Sequence, residues 1–287
     1  SCTLKGSSRR DFETADGDVA PTIRMTYVTG SFVHLLNADS IEVVSEQDRT
    51  TRYNARAGKG KAFDARGSTF VIEDSTHGII SVQGDRKQTG MVWAGGFVTG
   101  SKPWDASWDE WKNDPATRSS AVFENRAHSA TLTGMHFFNV HDGPRVAYDG
   151  FDWTVENVWG EYIRDDAIES DHHHSGKVVD SLFDGTYTGF STRPSLSNTD
   201  ADGRGEVLTI DRVLLRLEAM PYPYKYQEKE GVLNENGEVW DGTGMPYGHG
   251  NLFKYDARNP EKNIRFAIRD SVFVIPHGNV PIYKISL

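Results

Sequence analysis

Cysteine is nearly absent from this chain: Cys2 stands alone among 287 residues, so no internal disulfide can form. Long apolar runs are missing as well. No stretch approaches the roughly 20 apolar residues of a membrane span, and no secretory leader opens the sequence. Positive charge is scarce, with 31 Lys and Arg against 41 Asp and Glu, a formal net charge of -10. That balance argues against nucleic acid or an acidic membrane surface as a partner. The polar opening, residues 1–15, reads as a linker. A lipid-anchored cysteine would have this setting, as would the remnant of a cleaved leader, and Ser1 in front of Cys2 counts against the lipid. What is plentiful is glycine, 28 residues, which with short apolar runs points to many short strands and turns.

A short pattern recurs along the chain: an aliphatic residue, a turn-former near its middle, and an aromatic or aliphatic five positions on. It reads Val92 to Phe97, Leu132 to Phe137, Val155 to Gly160, Val178 to Phe183, Ile210 to Leu215 and Ile268 to Phe273. From Leu132 to Val155 to Val178 the step is 23 residues. Later steps of 32 and 58 leave room for insertions, and the last is long enough for two turns of the repeat. A second column, Val146, Ile168 and Phe190, is spaced by 22, with Phe253 and Ile282 as later members. Two columns of short strands at a fixed step describe coils of about 22 residues, each burying its apolar side on the next. The expectation is an all-β, single-domain, right-handed parallel β-helix over 16–287. An ordinary β-sandwich explains the alternation but not the paired columns.

Two stretches break the rhythm. In 102–120, Trp104, Trp108 and Trp111 at i, i+4, i+7 suit a short amphipathic helix near 104–113 whose aromatic face packs on the body or meets a ligand. In 219–250, Pro221 and Pro223 hold Tyr222, Tyr224 and Tyr226 extended with their rings on one side.

Strand alternation turns the neighbours of the second column outward. The outward set contains Arg145; Asp165, Ala167, Glu169 and Asp171; Tyr187, Gly189 and Arg193; and Lys254. Ala147, Ala167 and Gly189 would leave a trough between the flanking charges. The run Arg164-Asp-Asp-Ala-Ile-Glu-Ser-Asp171 sets four acids close together, and they repel unless something positive sits among them. A calcium ion held by Asp165, Asp166, Glu169 or Asp171 would serve. So would Arg145 and Arg193 in a salt-bridged ladder. His172, His173 and His174 follow as turn residues exposed to solvent, and they make a weak metal signal.

Coils of this length, the turn column Asn157, Asp180, Asp270 and the strand 165–171 resemble the pectate-lyase-like superfamily of parallel β-helices. The likeness covers about 60–287 and is architectural. Asp165-Asp166-Ala-Ile is similar to the paired-aspartate strand of polygalacturonases, but the Asn-Thr-Asp and Arg-Ile-Lys elements expected beside it are missing. Gly248-His-Gly250 resembles that family's Gly-His-Gly but falls about 80 residues later, so its role does not carry over. The resemblance implies a secreted or cell-surface monomer acting on a polysaccharide. Its first reading is a lyase on a uronic-acid polymer, for which Asp165, Asp166, Glu169, Arg145, Arg193 and Lys254 are the catalytic candidates. Tyr187, Tyr222, Tyr224, Tyr226 and His249 are the substrate-binding candidates, with calcium as the cation. The alternatives are a glycoside hydrolase using paired carboxylates and a non-catalytic binder or adhesin.

Overall fold

The computed structural model describes residues 37–73, 78–84, 89–103, 121–148, 150–194, 201–221, 247–256 and 258–275, with the short pieces 2–3, 26–27, 35, 106, 110–111 and 198. The fold is all-β. One large sheet of parallel strands coils on itself, so that each strand pairs with the equivalent strand one turn away. No helix among these residues is long and apolar enough to cross a membrane.

Three faces make up the coil. The first stacks Ser40–Val43, Lys61–Asp64, Thr89–Ala94, His128–Thr133, Trp153–Glu156, the start of Gly176–Ser191, the start of Val207–Leu217, and Arg265–Arg269. The second stacks Thr69–Ile72, Phe97–Gly100, His136–Val140, the start of Trp159–Ser170, then the later parts of Gly176–Ser191 and Val207–Leu217, then Val272–Val274. The third stacks Tyr53–Arg56, Gly78–Gln83, Ala121–Asn125, Asp142–Val146, and the ends of Trp159–Ser170 and Gly176–Ser191, closing on Phe253–Lys254. Alternation buries every second side chain in one continuous core: Phe63, Trp93, Leu132, Val155, Val178 and Ile210 from the first face, and Phe70, Val98, Phe137, Phe183 and Leu215 from the second.

The first column stands as expected: Leu132 is level with Val155, and Val155 with Val178, all buried. Three registers need correction. The earliest copy starts at Trp93, not Val92, since Leu132 pairs Trp93. A one-residue slip reverses every side chain, so Trp93 is buried and Val92 lies half-exposed. The 58-residue step holds a single coil, because Ile210 pairs directly with Ile268. In the second column Ile168 pairs Phe190 and Phe190 pairs Phe253, but Val146 is level with Ser170. The proline two residues before it, Pro144, takes the place beside Ile168. Ile282 lies outside the described residues.

From Thr89–Ala94 onward each coil turns from the first face to the second through a residue with positive φ: Gly95, Gly134, Asn157, Asp180, Arg212 and Asp270. Glycine, asparagine and aspartate tolerate this left-handed backbone best, so the turn column read from the sequence has a steric cause. Arg212 is the exception, at φ 54.

Both insertions leave at the corner between the second and third faces. Of the first, Glu110 and Trp111 are helical and Trp111 is fully buried, so at that position the aromatic face packs on the body. Trp104 and Trp108 lie outside the described residues, as do Tyr222, Tyr224 and Tyr226. The second insertion is closed at its foot by an antiparallel pair, Met220–Pro221 with Tyr247–Gly248. Cys2 and Thr3 pair antiparallel with Tyr27 and Thr26.

Candidate functional site

The middle of the third face is buried on both sides. Every residue of Ala121–Asn125 and of Asp142–Val146 is buried, although alternation turns half of them away from the core. The open trough expected there is therefore replaced by a covered one. Ala167 belongs to the hydrophobic core. Gly143 and Gly189 are places where the next strand passes close: a Cβ would stand 2.0 Å from the Ala167 carbonyl oxygen and 2.4 Å from that of Leu252. Arg164 marks the corner where the insertions meet. Its Nε donates to the Ala106 carbonyl at 3.2 Å, a terminal nitrogen lies 3.5 Å from the Met220 sulfur, and the guanidinium sits 5.6 Å from the Tyr187 ring.

Beneath this corner lies a charged network that crosses several coils. Arg145 donates through Nε to Glu169 of the next coil, and through a terminal nitrogen to Asp142 at 3.0 Å. Asp142 also accepts the Asp166 backbone N–H at 3.4 Å and lies 3.0 Å from His141 Nδ1. Lys254, two coils beyond Asp166, reaches back over the small Ser191 to both Asp166 oxygens at 2.9 and 3.0 Å. Its ammonium is 3.8 Å from Asp165. The structure thus brings together Arg145, Asp165, Asp166, Glu169, Asp171 and Lys254 from the sequence reading, and adds Asp142 and His141.

Asp142 was hidden by the slipped column. With Arg145 level with Glu169, the same offset sets Asp142 beside Asp166. Pro144 standing in an apolar column is the signal that could have shown it. Three other candidates sit elsewhere. Tyr187 is fully buried, packed against Gly250 and facing Arg164, not outward. His249 is also buried, its Nδ1 2.8 Å from the Gly250 carbonyl oxygen. Arg193 is exposed and, among the described residues, makes no ion pair with the acids.

The electrostatics follow from burial. Asp166 is nearly inaccessible, and its carboxyl is pushed well above the ordinary range by burial, with Asp165, Glu169 and Asp142 adding and Lys254 opposing. Asp171 is raised to about 7, first by burial and then by Glu169 and Asp142, against Arg145 and Lys254. Burial alone would loosen the Arg145 proton, but Glu169, Asp142 and Asp171 together hold it more tightly than in a free guanidinium. Asp142 and Asp166 are thus sealed inside, while Glu169 and Asp171 are half-buried and reach the surface.

The carboxylates of Asp142, Asp166 and Glu169 offer oxygen atoms within 4.8 Å of one another, as do His141, Asp142 and Asp165 with one ligand atom each. Oxygen donors suit calcium. Here, however, Arg145 holds Asp142 and Glu169, and Lys254 holds Asp166. The set does not fit a divalent ion while those cations are in place. Arg145 and Lys254 do what the sequence reading assigned to calcium or to the Arg145–Arg193 pair.

The three histidines are not a run of solvated turn residues. His173 and His174 are buried, and burial pulls the His173 imidazole below its ordinary value. His172 and His174 stack with centroids 5.6 Å apart and grip Tyr148 from the preceding coil. His172 Nδ1 accepts the Tyr148 N–H at 3.2 Å, and His174 Nε2 donates to the Tyr148 carbonyl. No protein-family model, curated protein or solved structure matches the chain.

Proposed function

We propose that the protein is a glycoside hydrolase that cleaves a polysaccharide lying across the margin of the third face where Glu169 and Asp171 reach the surface, with these two as its carboxylates. The observation that carries this is their placement. They are the two half-buried acids of the network, Glu169 near the end of Trp159–Ser170 and Asp171 in the turn directly after it, with Glu169 anchored by Arg145. Two residues of chain keep their backbones within about 7 Å, so the carboxyl groups can stand at the roughly 6.5–9.5 Å that leaves room for a water in an inverting mechanism.

Their environments divide the work. Arg145 bonds to Glu169 and fixes its carboxylate in place, which suits a base that activates water. Asp171, raised to about 7, keeps its proton long enough to give it to the leaving oxygen. The pectate-lyase-like resemblance supports the polysaccharide, and a polysaccharide substrate supports a secreted or cell-surface setting; both are fold analogy.

β-Elimination is the second reading, favoured by the exposed Arg193 as a candidate base, two residues after the Ser191 that stands level with Glu169. It is weaker because Arg145 and Lys254 are both engaged by acids and Tyr187 is buried. The test is product chemistry. Hydrolysis yields reducing ends without ultraviolet absorbance, and elimination yields an unsaturated sugar that absorbs. Glu169→Gln should lower the rate by orders of magnitude while the protein stays folded. Full activity in that variant, or an absorbing product, removes the hydrolase reading.

A further inference from the structure

We infer that the sugar bound across Glu169 and Asp171 carries no negative charge, being neutral or amino-substituted, and that it packs against the ring of Tyr148. This deepens the hydrolase reading of the same pair and rests on it.

Charge supports the first half. Five carboxylates gather here: Asp142, Asp165, Asp166, Glu169 and Asp171. Arg145 bonds to two of them, and Lys254 bonds to Asp166 with Asp165 at 3.8 Å. Arg164 points away to Ala106, Met220 and Tyr187. Even with the exposed Arg193 added, three cations face five acids, and two of the three are engaged. With Asp171 holding its proton as the acid, a uronate entering would be a fifth negative group in a partly desolvated place, where like charges are least screened. A hydroxyl sugar adds no charge, and an ammonium sugar would offset some of the surplus.

Tyr148 supports the second half. Register places it level with His172, the residue directly after Asp171, so its ring belongs to the wall beside the pair. It is 58% exposed, far more than its surroundings, and its backbone is left-handed at φ 51. Two imidazoles satisfy its N–H and carbonyl, while Arg126 at 4.7 Å and His172 at 5.3 Å brace the ring. A non-glycine residue held in a strained conformation by this many neighbours, only to leave an aromatic ring in water, is placed for contact. A phenol ring offers apolar surface and one hydroxyl without charge, which suits the C–H face of a sugar.

The experiment presents the purified full chain with a neutral β-glucan, chitosan, pectate and alginate, and reads both reducing ends and ultraviolet absorbance. Tyr148→Ala and Tyr148→Phe are then assayed on the polymer that is cleaved. Expected are reducing ends from the neutral or amino polymer alone. KM should rise about tenfold or more for Tyr148→Ala and little for Tyr148→Phe, with kcat within a few-fold in both. Reducing ends from pectate or alginate overturn the charge inference and leave the hydrolase reading standing. An unsaturated product from any polymer, or no product from all four, overturns both. Unchanged KM in Tyr148→Ala overturns the contact with the ring.

Discussion

Replacing Asp171 with asparagine should change how stability depends on pH, and the size of the change follows from its surroundings. In the folded protein its carboxyl is raised from an ordinary 3.8 to about 7. Between those values the folded state binds more protons at this site than the unfolded chain does, so stability falls as pH rises through that window. One unit is worth about 1.4 kcal/mol. The shift of about three units therefore corresponds to about 4 kcal/mol lost between pH 4 and pH 7, with coupling to Glu169 reducing the share that belongs to Asp171 alone. Asparagine keeps the shape and cannot ionise. Urea midpoints at pH 4, 5, 6, 7 and 8 should show Asp171→Asn at or below wild type in acid and gaining on it steadily toward pH 7. The comparison with wild type cancels Asp256, which is lowered to about 2 by Arg258. It also cancels the other acids to the extent that they titrate alike in both proteins. Parallel curves for the two proteins over the whole range would refute a raised Asp171 and, with it, the division of roles between the two carboxylates.

Three further outcomes follow. Lys254→Met leaves Asp166 sealed with its ammonium partner gone, so it should cost about 3–5 kcal/mol in chemical denaturation at pH 8. The cost should shrink at pH 5, where Asp166 can take a proton, and a pH-independent loss would contradict the pairing. Gly143→Ala presses a Cβ onto the Ala167 carbonyl oxygen and should cost about 1–3 kcal/mol. A melting temperature equal to wild type would show that the two coils separate freely there. Ile168→Asp sets an unpaired charge in the stack and should abolish folding, read as loss of soluble protein or of the cooperative transition; a soluble variant of unchanged melting temperature would count against the buried column.

The coil was legible because the same steric demands recur every turn. Leu132, Val155 and Val178 sit at a constant step, and Asn157, Asp180 and Asp270 mark a left-handed turn that few residues tolerate. The site was only partly legible. Which residues stand level on adjacent coils depends on coil length, which sequence spacing reveals only where every coil has the same length. The Val146 column assumed a step of 22, but Arg145 to Glu169 is 24, and the difference concealed Asp142. Nor did the outward positions of the third face announce that they are covered. Ala106, Trp111 and Met220 lie over that corner through contacts that alternation does not encode, which is why Tyr187 looked open and is enclosed.

The positions of the two insertions have a consequence for how such a molecule can change. Leu132 to Val155 takes 23 residues and Ile210 to Ile268 takes 58, yet both pairs meet in the same register. The backbone ladder joins each coil only to the coils before and after it, so residues added at a corner leave the ladder without having to be threaded through it. Chain length at the corners and spacing along the stack are therefore independent. A peptide spliced between Leu217 and Phe253 would lengthen one arm and leave untouched the column in which Phe190 meets Phe253. Lineages built on this plan are free to exchange their arms while keeping one ruler, and an engineer could graft a foreign recognition loop there with the same freedom.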